Sequence, residues 1–395
     1  MTDLDTSLAS DTARAWVRAA ALFLAPLVLT GCDDRPASTA RHASRTVPRP
    51  VPDDEQLRMQ LASVLDWTYA HRHLNFRDHA AWQIMHGVLA YKQSFLIETE
   101  PGGERKPVLA YLLNGGKMKG WTFEPGAVLD AASRRRGLRA ILEAGTQTGQ
   151  GHRDQWLAIL AQCGVEPTQP LVVDGHRYTL VDLIEQVKLD VPHNPQREYS
   201  WTVIGLTGYL PTSATWTASD GQAWSIARLI ESETEQELST SACGGTHRLD
   251  ALTLAVQRHV AQGGKLEGTW AAAEQKIQES IERVREHQHP DGSFSSNYFR
   301  PGGKSADLTG EVAVTGHLLE FLSLALTDEE LQELWVARAV AHLCEIFENT
   351  KAVAWECGSL YHAINGLNIY HTRRFGKRAY QPREAVASPS GSEEP

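Results

Sequence analysis

The sequence lacks the short motifs on which several common chemistries depend. It has no phosphate-binding loop, no dinucleotide glycine fingerprint, no G-x-S-x-G elbow and no H-E-x-x-H pair. Those absences remove the parts from which NTPases, dehydrogenases, serine hydrolases and zincins are built. Clustered positive charge is also scarce. Lys and Arg number 38 against 48 Asp and Glu, for a net charge of −10, so nucleic acid is not an expected partner. The densest basic run, Arg134, Arg135, Arg136 and Arg139, reads as the solvated face of a helix. No sustained strand alternation runs through the body, and the apolar run Ala19–Leu29 is too short to span a bilayer.

What is present begins with that run. Arg14 and Arg18 precede it, and it ends in Leu29-Thr30-Gly31-Cys32. The arrangement resembles a bacterial lipoprotein lipobox, which implies cleavage before Cys32 and acylation of its thiol. The expected organisation is a signal peptide over 1–31, a Pro- and Arg-rich tether over 32–52, a folded body over 53–376 and a polar tail over 377–395. The expected location is outside the cytoplasm, held by lipid to a bacterial membrane. Export leaves Cys163, Cys243, Cys344 and Cys357, an even set that permits two disulfides, metal ligation or buried thiols.

The body is read as all-α. Leu57, Leu61, Val64 and Leu65 recur at helical spacing, and a second helix is expected from about Asp78 to Ile97. Further helices are expected over 127–143, 153–162 and from 181. Beyond Tyr199 they follow over 199–210, 220–237, 245–262, 270–287, 307–327, 328–349 and 358–371. Two small β-hairpins are expected as insertions, near 107–124 around Asn114-Gly115 and near 171–180 around Asp174-Gly175. Four apolar helices carry a histidine near the start: His86, His247, His317 and His362. The last three recur 70 and then 45 residues apart, a spacing that suits helical-hairpin units facing a central cavity.

Gln288, Gly292 and Phe294 resemble the end of the QW repeat of terpenoid cyclases, and Asp220 to Trp224 is a looser echo. The resemblance implies the α/α toroid shared by those cyclases and the protein prenyltransferases. No DxDD or DDxxD motif accompanies it, so terpene cyclisation is not implied.

Two constellations carry candidate chemistry. Cys243 with His247, and Cys357 with His362, put thiols and imidazoles at short spacing, and zinc is the cofactor such a set would hold. Alternatively, His247, His317 and His362 with Tyr361 are candidate catalytic groups of a lyase-like site. Asn365, His86, Trp224 and Arg248 are then candidate ligand contacts, with Arg248, Arg373 or Arg374 available to hold a carboxylate. Glu320, three residues after His317, is placed to orient that imidazole. The run Glu231, Glu233 and Glu235 reads as a solvated helix end. Tryptophans at helix ends, including Trp82, Trp201 and Trp224, offer faces for a sugar or an apolar ligand. The first expectation is a protein binding a carbohydrate, lipid or peptide in a His- and Trp-lined cavity. The alternative is an enzyme using the cavity histidines.

Overall fold

The computed structural model describes residues 48, 50–194 and 198–380. Cys32, the expected signal peptide and most of the expected tether and tail lie outside those residues. Among the described residues are twelve α-helices and four two-stranded antiparallel sheets, and no helix is long and apolar enough to cross a membrane.

Helix α1 (Asp54–His71) starts where Asp53 Oδ1 accepts from Gln56 N at 2.9 Å, satisfying a donor that a helix start leaves open. Helix α2 spans Ala81–Tyr91, and the chain then turns into strand β1 (Leu96–Glu98), paired with β2 (Arg105–Pro107). The expected hairpin at 107–124 is replaced by helix α3 (Val108–Leu113). Asn114-Gly115 ends that helix instead of turning a hairpin. Gly115, at φ +88°, donates to Leu112 O, and Gly116 donates to Tyr111 O, a left-handed C-terminal cap.

The helix expected over 127–143 is likewise a hairpin, β3 (Phe123–Asp130) with β4 (Arg135–Ala140). Tertiary pairing overrides its helix-forming composition. Arg135 meets Asp182 at 2.7 Å, and Arg139 meets Asp190 and Glu124 at 2.6 and 2.9 Å. Two of the four arginines of the basic run are therefore paired with neighbouring carboxylates.

Helix α4 (Gln155–Gln162) follows, and the expected hairpin near 171–180 forms from β5 (Pro170–Val173) and β6 (His176–Thr179). Next come α5 (Leu180–Asp190), α6 (Ser200–Tyr209) and a fourth small sheet of β7 (Thr215–Thr217) and β8 (Ala223–Ser225). That sheet takes the start of the segment expected to be helical from 220, leaving α7 as Ile226–Glu235. The remaining helices are α8 (Thr246–Ala261), α9 (Thr269–Glu286), α10 (Leu308–Ala325), α11 (Leu334–Asn349) and α12 (Cys357–Phe375).

Alternate helices pack in succession: α2 on α4, α4 on α6, α6 on α8, α8 on α10, α10 on α12, and α12 back on α2. The others lie against members of that series, as α1 on α12, α7 on α6, α9 on α8 and α11 on α10. Helices α10 and α12 are buried on nearly every side, as fits elements surrounded by protein. They approach closely at glycines. A Cβ on Gly316 would lie 2.6 Å from that of Ala363, and one on Gly366 would lie 2.8 Å from Glu320 N. This approach brings the polar residues of the two helices face to face. Gln288 donates to Trp335 O at 2.8 Å and to Gly292 O, tying the loop after α9 to the start of α11.

Candidate functional site

The four histidines converge. Ring centroids lie 4.0 Å apart for His317 and His362, 5.1 Å for His247 and His362, 5.4 Å for His247 and His317, and 5.1 Å for His86 and His362. Each is nearly or wholly enclosed, with 3–7% of its surface accessible. They come from α2, α8, α10 and α12, so the site is assembled from distant parts of the chain.

Their hydrogen bonds set their tautomers. His86 Nδ1 is 2.6 Å from Trp82 O, and His317 Nδ1 is 2.6 Å from Ala313 O. A carbonyl only accepts, so both Nδ1 atoms carry the proton and both Nε2 atoms keep a lone pair. His362 Nδ1 donates to Glu320 Oε2 at 2.6 Å. Glu320 thus orients His362 across the helix pair rather than His317 on its own helix. Asn365 Nδ2 donates to the other Glu320 oxygen at 2.6 Å, and Asn365 Oδ1 accepts from the Lys92 ammonium at 3.3 Å. Asn365 is therefore part of the support beneath His362.

Burial governs the electrostatics. It lowers His86 to about 4 and pushes His247, His317 and His362 down as well, because low-dielectric surroundings penalise the charged imidazolium. Neutral imidazoles are the form that ligates metals. Burial also raises Glu320 and lowers Lys92.

His247 is exceptional: both ring nitrogens are buried and neither has a hydrogen-bond partner. His317 Nε2 is in the same condition. Cys243, His247 and His317 place one ligand atom each within 4.8 Å of one another. Cys243 sits just ahead of α8 at φ +50°, followed by Gly244 at φ +64°. A Cβ on Gly244 would fall 2.2 Å from the Tyr298 ring, so this tight turn admits no side chain there. Burial pushes the Cys243 thiol up to about 12. It would ionise only beside a cation, which a bound metal would supply.

The expected metal set changes accordingly. Cys243 and His247 are joined by His317, whereas Cys357, bonded to Gln83, and His362, bonded through Nδ1 to Glu320, fall outside that group. Cys163, Cys243, Cys344 and Cys357 are all free thiols, so the disulfide alternative is not realised.

A cavity of about 250 Å³ opens beside His247, lined by His152, Glu198, Ser200, Trp201, Ser241 and Arg248, among others. Its Trp201 ring stands 4.9 Å from that of His247, one of the joint tryptophans expected at a cavity mouth. Arg248 is fully enclosed and bonded to Glu233 at 3.2 Å, to Glu237 O at 3.0 Å and to Ser241. Its guanidinium braces the cavity wall, so its ordinary partner is Glu233 and not a ligand carboxylate. Glu233 is itself wholly buried, contrary to its reading as a solvated helix end. Arg373 and Arg374 pair with Asp328 and Asp54. Tyr361 packs edge-on against Tyr91 and Phe95, with its hydroxyl toward Arg72 O, and Trp224 is covered by Arg228 and Tyr199. Neither joins the histidine cluster. His152 is the cluster's neighbour that the helical pattern missed, because it lies in the loop ahead of α4 and on no helix.

Compared with known proteins, the chain matches no family model and no curated sequence.

Proposed function

We propose that the protein is a zinc-dependent enzyme of the bacterial cell envelope, anchored by lipid on Cys32, with its metal at the centre of an α/α toroid. The observation that carries this reading is His247, buried with both ring nitrogens unpartnered beside Cys243 and His317. A buried polar atom without a partner costs about 1–3 kcal/mol, and a metal would offset that cost. One thiolate and two imidazoles suit zinc, and three protein ligands leave a fourth position for water or substrate, the arrangement of catalytic sites. The succession α2, α4, α6, α8, α10, α12 and back to α2 supports the toroid.

A larger cleft of 980 Å³ shares Ser241 with the site cavity and is lined largely by polar groups, including Lys276, Arg283 and Asn297. That lining suits a polar extended ligand, a glycan or a peptide. Read instead as a binding site without turnover, the cavity uses Trp201 but leaves His247 unexplained.

Metal analysis of the purified protein tests the reading. About one zinc per chain is expected, lost in His247→Ala and Cys243→Ser and retained in Cys357→Ser. A wild-type protein without stoichiometric metal would sink it. The anchor is tested separately. Cys32→Ser should move the protein from the membrane fraction to the soluble fraction of cells, and an unchanged distribution would count against acylation.

A further inference from the structure

Facing His247 across the cavity is a second imidazole–carboxylate pair. His152, in the loop before α4, bonds through Nδ1 to Glu198. With the carboxylate accepting, Nδ1 holds a proton, and no hydrogen bond among the described residues engages Nε2. The ring lies near Trp201, centroids 5.9 Å apart and planes 29° apart, and 5.9 Å from the His247 ring. Its side chain is 21% exposed, so it meets whatever enters the cavity, whereas the four inner imidazoles are enclosed. A latch that merely held the segment before α6 would account for the pairing. It would not account for an imidazole that lines the cavity beside His247.

We infer that His152, positioned by Glu198, is the general base of a hydrolytic reaction on a carboxylic ester or amide in this cavity. The inference rests on the zinc reading, which provides the electrophilic partner such a reaction needs. Water is the co-reactant. Its proton passes to His152 Nε2 as its oxygen forms a bond to the acyl carbon. The bond from that carbon to the leaving oxygen or nitrogen then breaks. The leaving atom takes the bonding pair and recovers the proton from His152. Nothing is oxidised or reduced, so the absence of a dinucleotide fingerprint is no obstacle. Trp201 forms an apolar wall against which the acyl group would pack.

The test uses the zinc-loaded full chain with p-nitrophenyl acetate as the probe and zinc content as the second readout. His152→Ala should lose about 10²-fold in hydrolysis, the usual worth of a placed base, while keeping its zinc. Added imidazole should restore part of the rate in that variant, which a merely structural role would not allow. Glu198→Gln should lose about 10-fold, the scale of losing an orienting partner. A zinc-loaded wild type that leaves the probe intact overturns the inference, as does a His152→Ala variant that hydrolyses at the wild-type rate or that imidazole does not rescue. Loss of zinc from His152→Ala also overturns it, since His152 would then act on the metal. A wild type that binds no zinc overturns the zinc reading itself.

Discussion

Glu233→Leu should destabilise the protein by about 3–5 kcal/mol, the cost of leaving a buried charge without its partner. Glu233 and Arg248 have no accessible side-chain surface. The Glu233 carboxylate also accepts from Tyr199 N at 3.0 Å and Ser200 Oγ at 2.6 Å. Removing it strands the guanidinium and two further donors together. Single domains are commonly stable by only about 5–15 kcal/mol, so the variant should show a large drop in its urea midpoint. Adding Arg248→Met to the same chain removes the stranded charge and should recover much of the loss. A double variant as unstable as the single one would mean that hydrogen bonding, not charge, dominates there. A single variant within 1 kcal/mol of wild type would mean that water reaches the pair. The consequence reaches the site, because Ser200 and Arg248 both line its cavity.

The second large effect is a change in pH dependence. Burial holds the folded-state His86 at about 4, against an ordinary value of 6.5. Above pH 6.5 the imidazole is neutral in both states and its contribution to stability is complete. As the pH falls from 6.5 toward 4, the unfolded chain takes up a proton that the folded chain refuses, and stability is lost. Over that window the loss is about 3 kcal/mol. Glu356 and Glu320 favour the charged form of His86 and His317 opposes it, but burial outweighs all three. The clean measurement compares metal-free wild type with His86→Asn, by urea unfolding at pH 7 and pH 4.5. Between those two values wild type should lose about 2–3 kcal/mol more than the variant. Parallel losses would show that His86 charges freely in the folded protein. The comparison between chains matters because Glu320 and Asp250 are raised by the same burial. Their contributions run the other way with pH and would mask the histidine in wild type alone.

Much of the helical layout was legible because periodicity is local. The helices carrying His86, His247, His317 and His362 all form, and their histidines meet. The misread segments share one physical cause: local propensity lost to long-range pairing. Residues 127–143 are good helix formers, yet Arg135 and Arg139 gain more from Asp182 and Asp190 as a strand. Asn114-Gly115 suits either a hairpin turn or a helix cap, and the apolar residues of Val108–Leu113 decide for the cap. The site was legible in part for a related reason. A histidine heading an apolar helix is visible in one dimension, and Cys243 stands next to one. The roles of Glu320 and Arg248 were not visible, because each is set by a partner on another element: His362 on α12 for the first, Glu233 on α7 for the second. His152 escaped notice because it belongs to no periodic pattern. Its meaning comes from Glu198 and Trp201, which only folding brings to it.

The return of α12 onto α2 has a bearing on how the protein comes into being. Almost three hundred residues separate Trp82 from His362, and long-range contacts of that kind form late and slowly. A nascent chain can therefore complete its early helices before the histidine cluster is assembled. Until α12 has emerged and docked, α2 and α10 each present an uncovered apolar face, the sort of surface that chaperones and proteases recognise. Competence of the site and concealment of that surface arrive in one event. A chain cut short before residue 357 would lack His362 and stay conspicuous to the cell's disposal machinery.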